Sequence, residues 1–134
     1  MAERNPKVYK AAGILIQNRK SLIARSKGKD IFYSPGGKIM KEETPVQALS
    51  RELTEELSIN VAEENLEFFG TFYAEEGAIR IEVYMVRSWE GEITSDNEIE
   101  ELLWIDSAPP ADIKIGSIFG HQILPRLKEL NLID

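Results

Sequence analysis

Apolar and polar residues alternate in short runs along most of this chain, and only two stretches change to a helical step. Residues 8–16 are apolar and rich in strand formers, Gln17-Asn18-Arg19-Lys20 reads as a turn, and residues 21–25 resume extended structure. Gly28-Lys29-Asp30 leads into a short strand at 31–33. That strand runs into Ser34-Pro35-Gly36-Gly37-Lys38, predicted as a tight loop whose glycines let backbone approach a ligand closely. Residues 66–73 and 78–89 read as two strands joined around Glu75-Glu76-Gly77. In the second, Ile79, Ile81, Val83 and Met85 alternate with Arg80, Glu82, Tyr84 and Val86. A last strand is predicted at 102–105.

The first helical stretch is the better defined. Thr44-Pro45-Val46-Gln47 makes an N-cap, a proline at the first helical position and a capping box closed by Gln47. Val46, Leu49, Leu53 and Leu57 then recur at three- and four-residue steps as an apolar stripe. The second stretch, 115–130, contains Pro125, which kinks it or marks its start. With no repeat, low-complexity segment or boundary, residues 1–134 are predicted to form one domain. The order of elements predicts an α/β (α+β) architecture, a mixed sheet with helices on both faces.

On the first helix, Glu52, Glu55 and Glu56 stand at i, i+3 and i+4, so all three carboxylates leave from one side. At about 5 Å apart they repel by roughly 3 kcal/mol per pair at an effective dielectric near 20. Hard divalent cations relieve such repulsion, and magnesium partnered with phosphate oxygens is the common use of a site like this. The preceding glycine loop and Lys38 complete a phosphate-handling constellation. A solvated acidic face is the competing reading; the fixed frame of glycines, capping box, arginine and clustered acids argues against it.

Gly37, Glu43, Arg51-Glu52-Leu53, Glu55-Glu56 and Ile59 together resemble the signature of the Nudix hydrolases, Gly-x5-Glu-x7-Arg-Glu-U-x-Glu-Glu-x-Gly-U, where U is a bulky aliphatic. The match spans residues 37–59 and departs at one place, Ser58 standing where the family has its second glycine. That puts the helix end in question, with Asn60 a candidate for the left-handed conformation. The resemblance, to the small MutT-like members, implies an α/β/α sandwich around a central mixed sheet. It implies metal ligation by Glu52, Glu55, Glu56 and the Gly36 carbonyl, with a further glutamate from a loop before the last strand. Glu98, Glu100 and Glu101 are the candidates for it, Glu98 favoured by its distance to Trp104 and Glu101 second. Glu43 and Arg51 are expected to pair and to fix the loop against the helix. Glu52 or Glu98 is the expected proton acceptor, and Arg25, Gly37 and Lys38 are expected to contact a polyphosphate.

The implied activity is hydrolysis of a P–O–P bridge in a nucleoside diphosphate linked to another moiety, with Mg2+ (or Mn2+) as cofactor. A (deoxy)nucleoside triphosphate, giving monophosphate and pyrophosphate, is the favoured substrate. The alternatives are a catalytically silent nucleotide-sensing module on the same fold and an acidic interaction domain. Members that remove oxidised guanine nucleotides read the base with an asparagine near the start of the last helix, and none stands around Gly120-His121. His121, the sole histidine, is expected to pack or face solvent. Phe32, Tyr33, Phe72, Tyr73, Tyr84 and Phe119 are candidates to stack on a base.

Composition narrows the classes further. A net charge of −7 argues against a nucleic-acid polymer as partner, while a metal-masked small nucleotide remains acceptable. The chain has no cysteine, so disulfides, zinc–thiolate sites and thiol catalysis are excluded. Hydrophobic content of 43% excludes disorder, and no apolar run reaches membrane-spanning length. A cytoplasmic monomer or homodimer is the expectation.

Overall fold

The computed structural model describes residues 5–134. Two sheets, both mixed, share the work expected of one. The first has the order β5–β1–β7–β6: β1 (Val8–Ile14) runs parallel to β7 (Ile79–Val86), with β5 (Gly36–Lys38) and β6 (Leu66–Ala74) antiparallel at its edges. The second is built on β3 (Lys20–Ser26), which pairs antiparallel with β2 (Ile16–Gln17), β4 (Ile31–Tyr33) and β8 (Ile99–Ile105). A two-residue strand, β9 (Lys114–Ile115), runs parallel to β4.

Strand alternation sorts the apolar side chains into two cores. Ala11, Leu15, Leu22, Tyr84, Val86, Leu102 and Trp104 pack with Leu49, Leu53 and Leu57 of α1 (Pro45–Leu57). Their neighbours Ile14, Ile23, Val83, Leu103 and Ile105 pack on the other side with Ile123, Leu124 and Leu127 at the C-terminal helix, α2 (Leu124–Glu129). Both faces are covered, which is the expected α/β/α sandwich.

Helix α1 begins as the sequence predicts, with reciprocal Thr44–Gln47 capping bonds and Pro45 in the first turn. Its end differs from expectation. Ser58 itself takes the left-handed conformation (φ 59°, ψ 32°), and Asn60 instead forms a bridge to Glu90. The Ser58 hydroxyl donates to Asp96 at 3.1 Å, a bond that glycine could not make.

Three other local readings change. Gly36–Lys38 is a strand rather than a loop, because a β-carbon at Gly36 would overlap the Ala11 carbonyl and glycine lets β5 close on β1. Ile115, read as the start of the second helical stretch, is extended in β9. The C-terminal helix begins as a wide-turn segment, Ile118–Ile123, in which the Leu124 amide reaches back five residues to the Phe119 carbonyl. Pro125 follows directly in the first turn of α2, so the wide turn gives way to the regular helix at the proline. No helix among the described residues is long and apolar enough to cross a membrane.

Candidate functional site

Helix α1 lays its apolar stripe on the sheet and turns its acids toward the Gly36–Gly37 edge. Glu56 accepts a hydrogen bond from the Gly36 amide at 3.2 Å. Glu52 lies directly against Gly37, where an added β-carbon would meet its carboxyl carbon at 2.5 Å. Glycine in the first position lets the two strands meet, and in the second it leaves room for the acid.

Glu56 is the most perturbed carboxyl. Its pKa is pushed up to about 8, first by burial, then by a hydrogen bond with Glu52 and that group's charge, against the pull of the Gly36 amide. Two carboxyls thus crowd one half-buried site, which favours the protonated form of Glu56. This donor set fits a divalent cation, since replacing the proton with an ion would satisfy both oxygens at once.

Arg51 governs the remaining acids. Its guanidinium meets Glu43 at 2.7 and 3.0 Å, Glu52 at 2.9 Å and Glu55 at 3.3 Å, and it also donates to the Lys38 carbonyl at 3.2 Å. The expected Glu43–Arg51 pair is thus present and ties the segment after β5 to the helix. It holds the Glu43 carboxyl down at about 2 and raises the arginine. Glu55 is turned to Arg51, and no three acidic or histidine side chains among the described residues already form a metal cage.

The loop before β8 is fastened to the same helix. Amides of Thr94 and Asp96 donate to the Leu57 and Glu56 carbonyls at 3.0 and 2.9 Å, capping the last turn. Glu98, exposed, follows two residues later, and its carbonyl accepts from the Lys27 amide at 2.8 Å. Glu100 and Glu101 are engaged elsewhere: Arg25 meets them at 3.4 and 3.2 Å and donates to the Lys29 carbonyl at 2.9 Å. Arg25 therefore stands on the second sheet already paired with carboxylates, while Lys38 is exposed on β5.

A cleft of about 920 Å³ opens beside Glu56, Gly36 and Gly37 and runs between the two sheets. Of the aromatic candidates, Tyr33, Tyr73 and Phe119 line it. Phe32 and Phe72 pack in the core below α2, and Tyr84 faces α1, edge-on to Phe68. His121 is exposed and borders a separate cleft of about 480 Å³ that contains no acid. The sequence reading missed Lys10, Ser34, Ser117 and Gln122, which all line the main cleft. The Ser34 hydroxyl is buried with no partner among the described residues. Only Lys10 left a sequence signal, a charge standing between Val8 and Ala12 at the alternate positions of an apolar strand.

Comparison with known proteins agrees with this geometry. The NUDIX domain profile matches residues 7–121. A protein of Haemophilus influenzae named 8-oxo-dGTP diphosphatase is 34% identical over 124 residues, spanning 81% of this chain and 89% of that one. A protein of the same name from Buchnera aphidicola is 36% identical over 78 residues, a match that spans 58% of this chain and only 63% of the relative. Among solved structures, a putative nudix hydrolase family member from Chromobacterium violaceum superposes with a TM-score of 0.76 at 22% identity, covering 97% of this chain and 81% of that one. A structure titled for MutT of Aliivibrio salmonicida and Vibrio cholerae gives 0.75 at 21% identity, covering 92% and 98%. Signature, profile and fold agree: this chain belongs to the Nudix hydrolase family.

Proposed function

We propose that this protein hydrolyses the phosphoanhydride of a nucleoside diphosphate linked to another moiety, a (deoxy)nucleoside triphosphate being favoured, with release of monophosphate and pyrophosphate. The observation that carries this reading is the convergence of Glu52 and Glu56 beside Gly36 and Gly37, at the mouth of a cleft large enough for a nucleotide.

Glu52, Glu55, Glu56, Glu98 and the Gly36 carbonyl would hold Mg2+ (or Mn2+). Bound there, the cation would supply an acidified water and screen charge on the phosphate oxygens. Arg51 holds Glu52 and Glu55 in readiness on one side, and its bond to the Lys38 carbonyl keeps β5 in register with the helix. Glu98 is supported by its position two residues beyond Asp96, whose amide bonds the Glu56 carbonyl. In the reaction a water oxygen bonds to phosphorus, the bridging P–O bond breaks, and the bridging oxygen leaves with the departing phosphate. Glu52 or Glu98 accepts the water's proton. Gly37 and Lys38 flank the path of the polyphosphate, and Arg25 would exchange its carboxylate partners for phosphate oxygens.

Incubating the protein with a nucleotide panel, with Mg2+ or Mn2+ and with phosphate and pyrophosphate detection, tests the proposal. The names of the relatives place 8-oxo-dGTP in that panel alongside the ordinary triphosphates. Pyrophosphate release that stops on addition of EDTA is the expected result. Every nucleotide and conjugate surviving intact would overturn it.

A further inference from the structure

The floor of the main cleft carries a charge that this chemistry does not use. Lys10 lies on β1 between Val8 and Ala12, opposite Ile81 on β7 and opposite Lys38 on β5. Two cations therefore face each other across adjacent strands, an arrangement that weakens a sheet unless something else rewards it. Among the described residues, no carboxylate pairs with Lys10 and nothing hydrogen-bonds its ammonium. Its other neighbours on the floor are aliphatic, Ile81 beside it and Ile79 one step further along.

Position sets Lys10 back from the acids, although Lys38 stands opposite it. Ala12 pairs with Gly36, next to Glu56, and Lys10 stands two residues back along the strand, about 7 Å at the usual rise. A group seated there rests on Ile79 and Ile81, with Gln122 and Ser117 also lining the cleft. An apolar-faced ring with polar edges suits these surroundings, whereas a phosphate would leave its oxygens against isoleucine. An ammonium donates three hydrogen bonds and accepts none, so the edge it meets must offer an acceptor.

We propose that Lys10 is a specificity-determining residue: it donates to a carbonyl oxygen on the edge of the nucleobase, so the cleft favours guanine and uracil, with O6 and O4, over adenine and cytosine, with amino groups there. This rests on the nucleotide reading of the cleft given above. Opposing a donor to an amino group leaves two donors facing each other, which is the stronger form of discrimination.

The test combines binding and turnover. Titration calorimetry with GMP, UMP, AMP and CMP is run on the wild type, Lys10→Met and Lys10→Arg, beside Mg2+-dependent hydrolysis of the four triphosphates. The wild type should bind GMP and UMP about tenfold more tightly than AMP and CMP. Lys10→Met, which keeps the apolar stem, should erase that gap by raising KM for GTP and UTP while kcat stays within about threefold. Lys10→Arg should restore part of it. Equal binding of all four monophosphates by the wild type, or no binding at all, would overturn the proposal. So would a Lys10→Met variant that weakens all four alike, since that marks a phosphate contact. If the base preference holds but no triphosphate is cleaved, the hydrolase reading fails and the role of Lys10 survives.

Discussion

Gly37 and Glu52 occupy adjoining space, so that a single β-carbon on the glycine would sit 2.5 Å from the carboxyl carbon of the acid. The clash falls on the far end of a flexible side chain, so the fold can yield where the site cannot. Gly37→Ala should therefore keep a melting temperature within a few degrees of wild type while hydrolysis falls by about 100-fold, a loss typical of a misplaced catalytic group. Parallel melts and rates check this, and equal losses of both would count against it.

Glu56 predicts a pH dependence with a definite sign. Its carboxyl rises from an ordinary 4.5 to about 8 in the folded protein, so the folded state holds a proton that the unfolded chain releases. Between those values, rising pH costs the metal-free protein stability, and below about 4.5 the effect vanishes. Melting temperature without metal should fall as pH rises from 5 to 8, and Glu56→Gln should flatten that slope. The same substitution should cut turnover by roughly 1000-fold, because an amide is a poorer oxygen donor to a hard cation and carries no charge.

Glu98 and Glu101 can be told apart. Glu101 is tied to Arg25, whereas Glu98 stands free of any ion pair among the described residues. Glu98→Gln should lower kcat by about 100-fold. Glu101→Gln should leave kcat within a few-fold and alter KM, since it releases Arg25. Steady-state kinetics on both variants decide the matter, and the reverse pattern would move the catalytic role to Glu101.

At the end of α1, Ser58 trades backbone strain for its bond to Asp96. Left-handed geometry costs an L-residue about 1–2 kcal/mol, and an exposed neutral–charged hydrogen bond returns part of that. Ser58→Gly should leave stability within about 1 kcal/mol of wild type, in either direction. Ser58→Val, branched at the β-carbon and without a hydroxyl, should destabilise by about 2 kcal/mol or more, measured by urea unfolding.

The two helices show how far sequence reading reaches. The N-terminal capping signals of α1 are local, with Thr44, Pro45 and Gln47 within four residues, and the structure reproduces them, whereas its left-handed end falls at Ser58 and not at Asn60. The C-terminal segment lacked such signals, and its wide turn at Ile118–Ile123 reflects packing of Phe119 and Ile123 into the core ahead of Pro125. The glycines misled in a similar way. Gly36 and Gly37 do permit close approach, but to β1 and to Glu52, which makes a strand of an expected loop.

Spacing alone placed Glu52, Glu55 and Glu56 on one helical face, since helix geometry is a property of neighbours in the chain, and the order of elements already implied a mixed sheet with helices on both faces. Which acid reaches the sheet was decided by tertiary contact: Glu56 turns to the Gly36 amide, whereas Glu55 meets Arg51 one turn earlier on the same helix. The cleft likewise exists only in the folded chain, because β1, β4, β7 and the wide-turn helix come from distant segments. The charge of Lys10 interrupts an apolar strand in the sequence, but its place in the cleft came only from the fold, where register set it opposite Lys38 and Ile81 with no carboxylate as partner among the described residues. Periodicity is local, whereas burial and charge pairing depend on residues brought together by the fold.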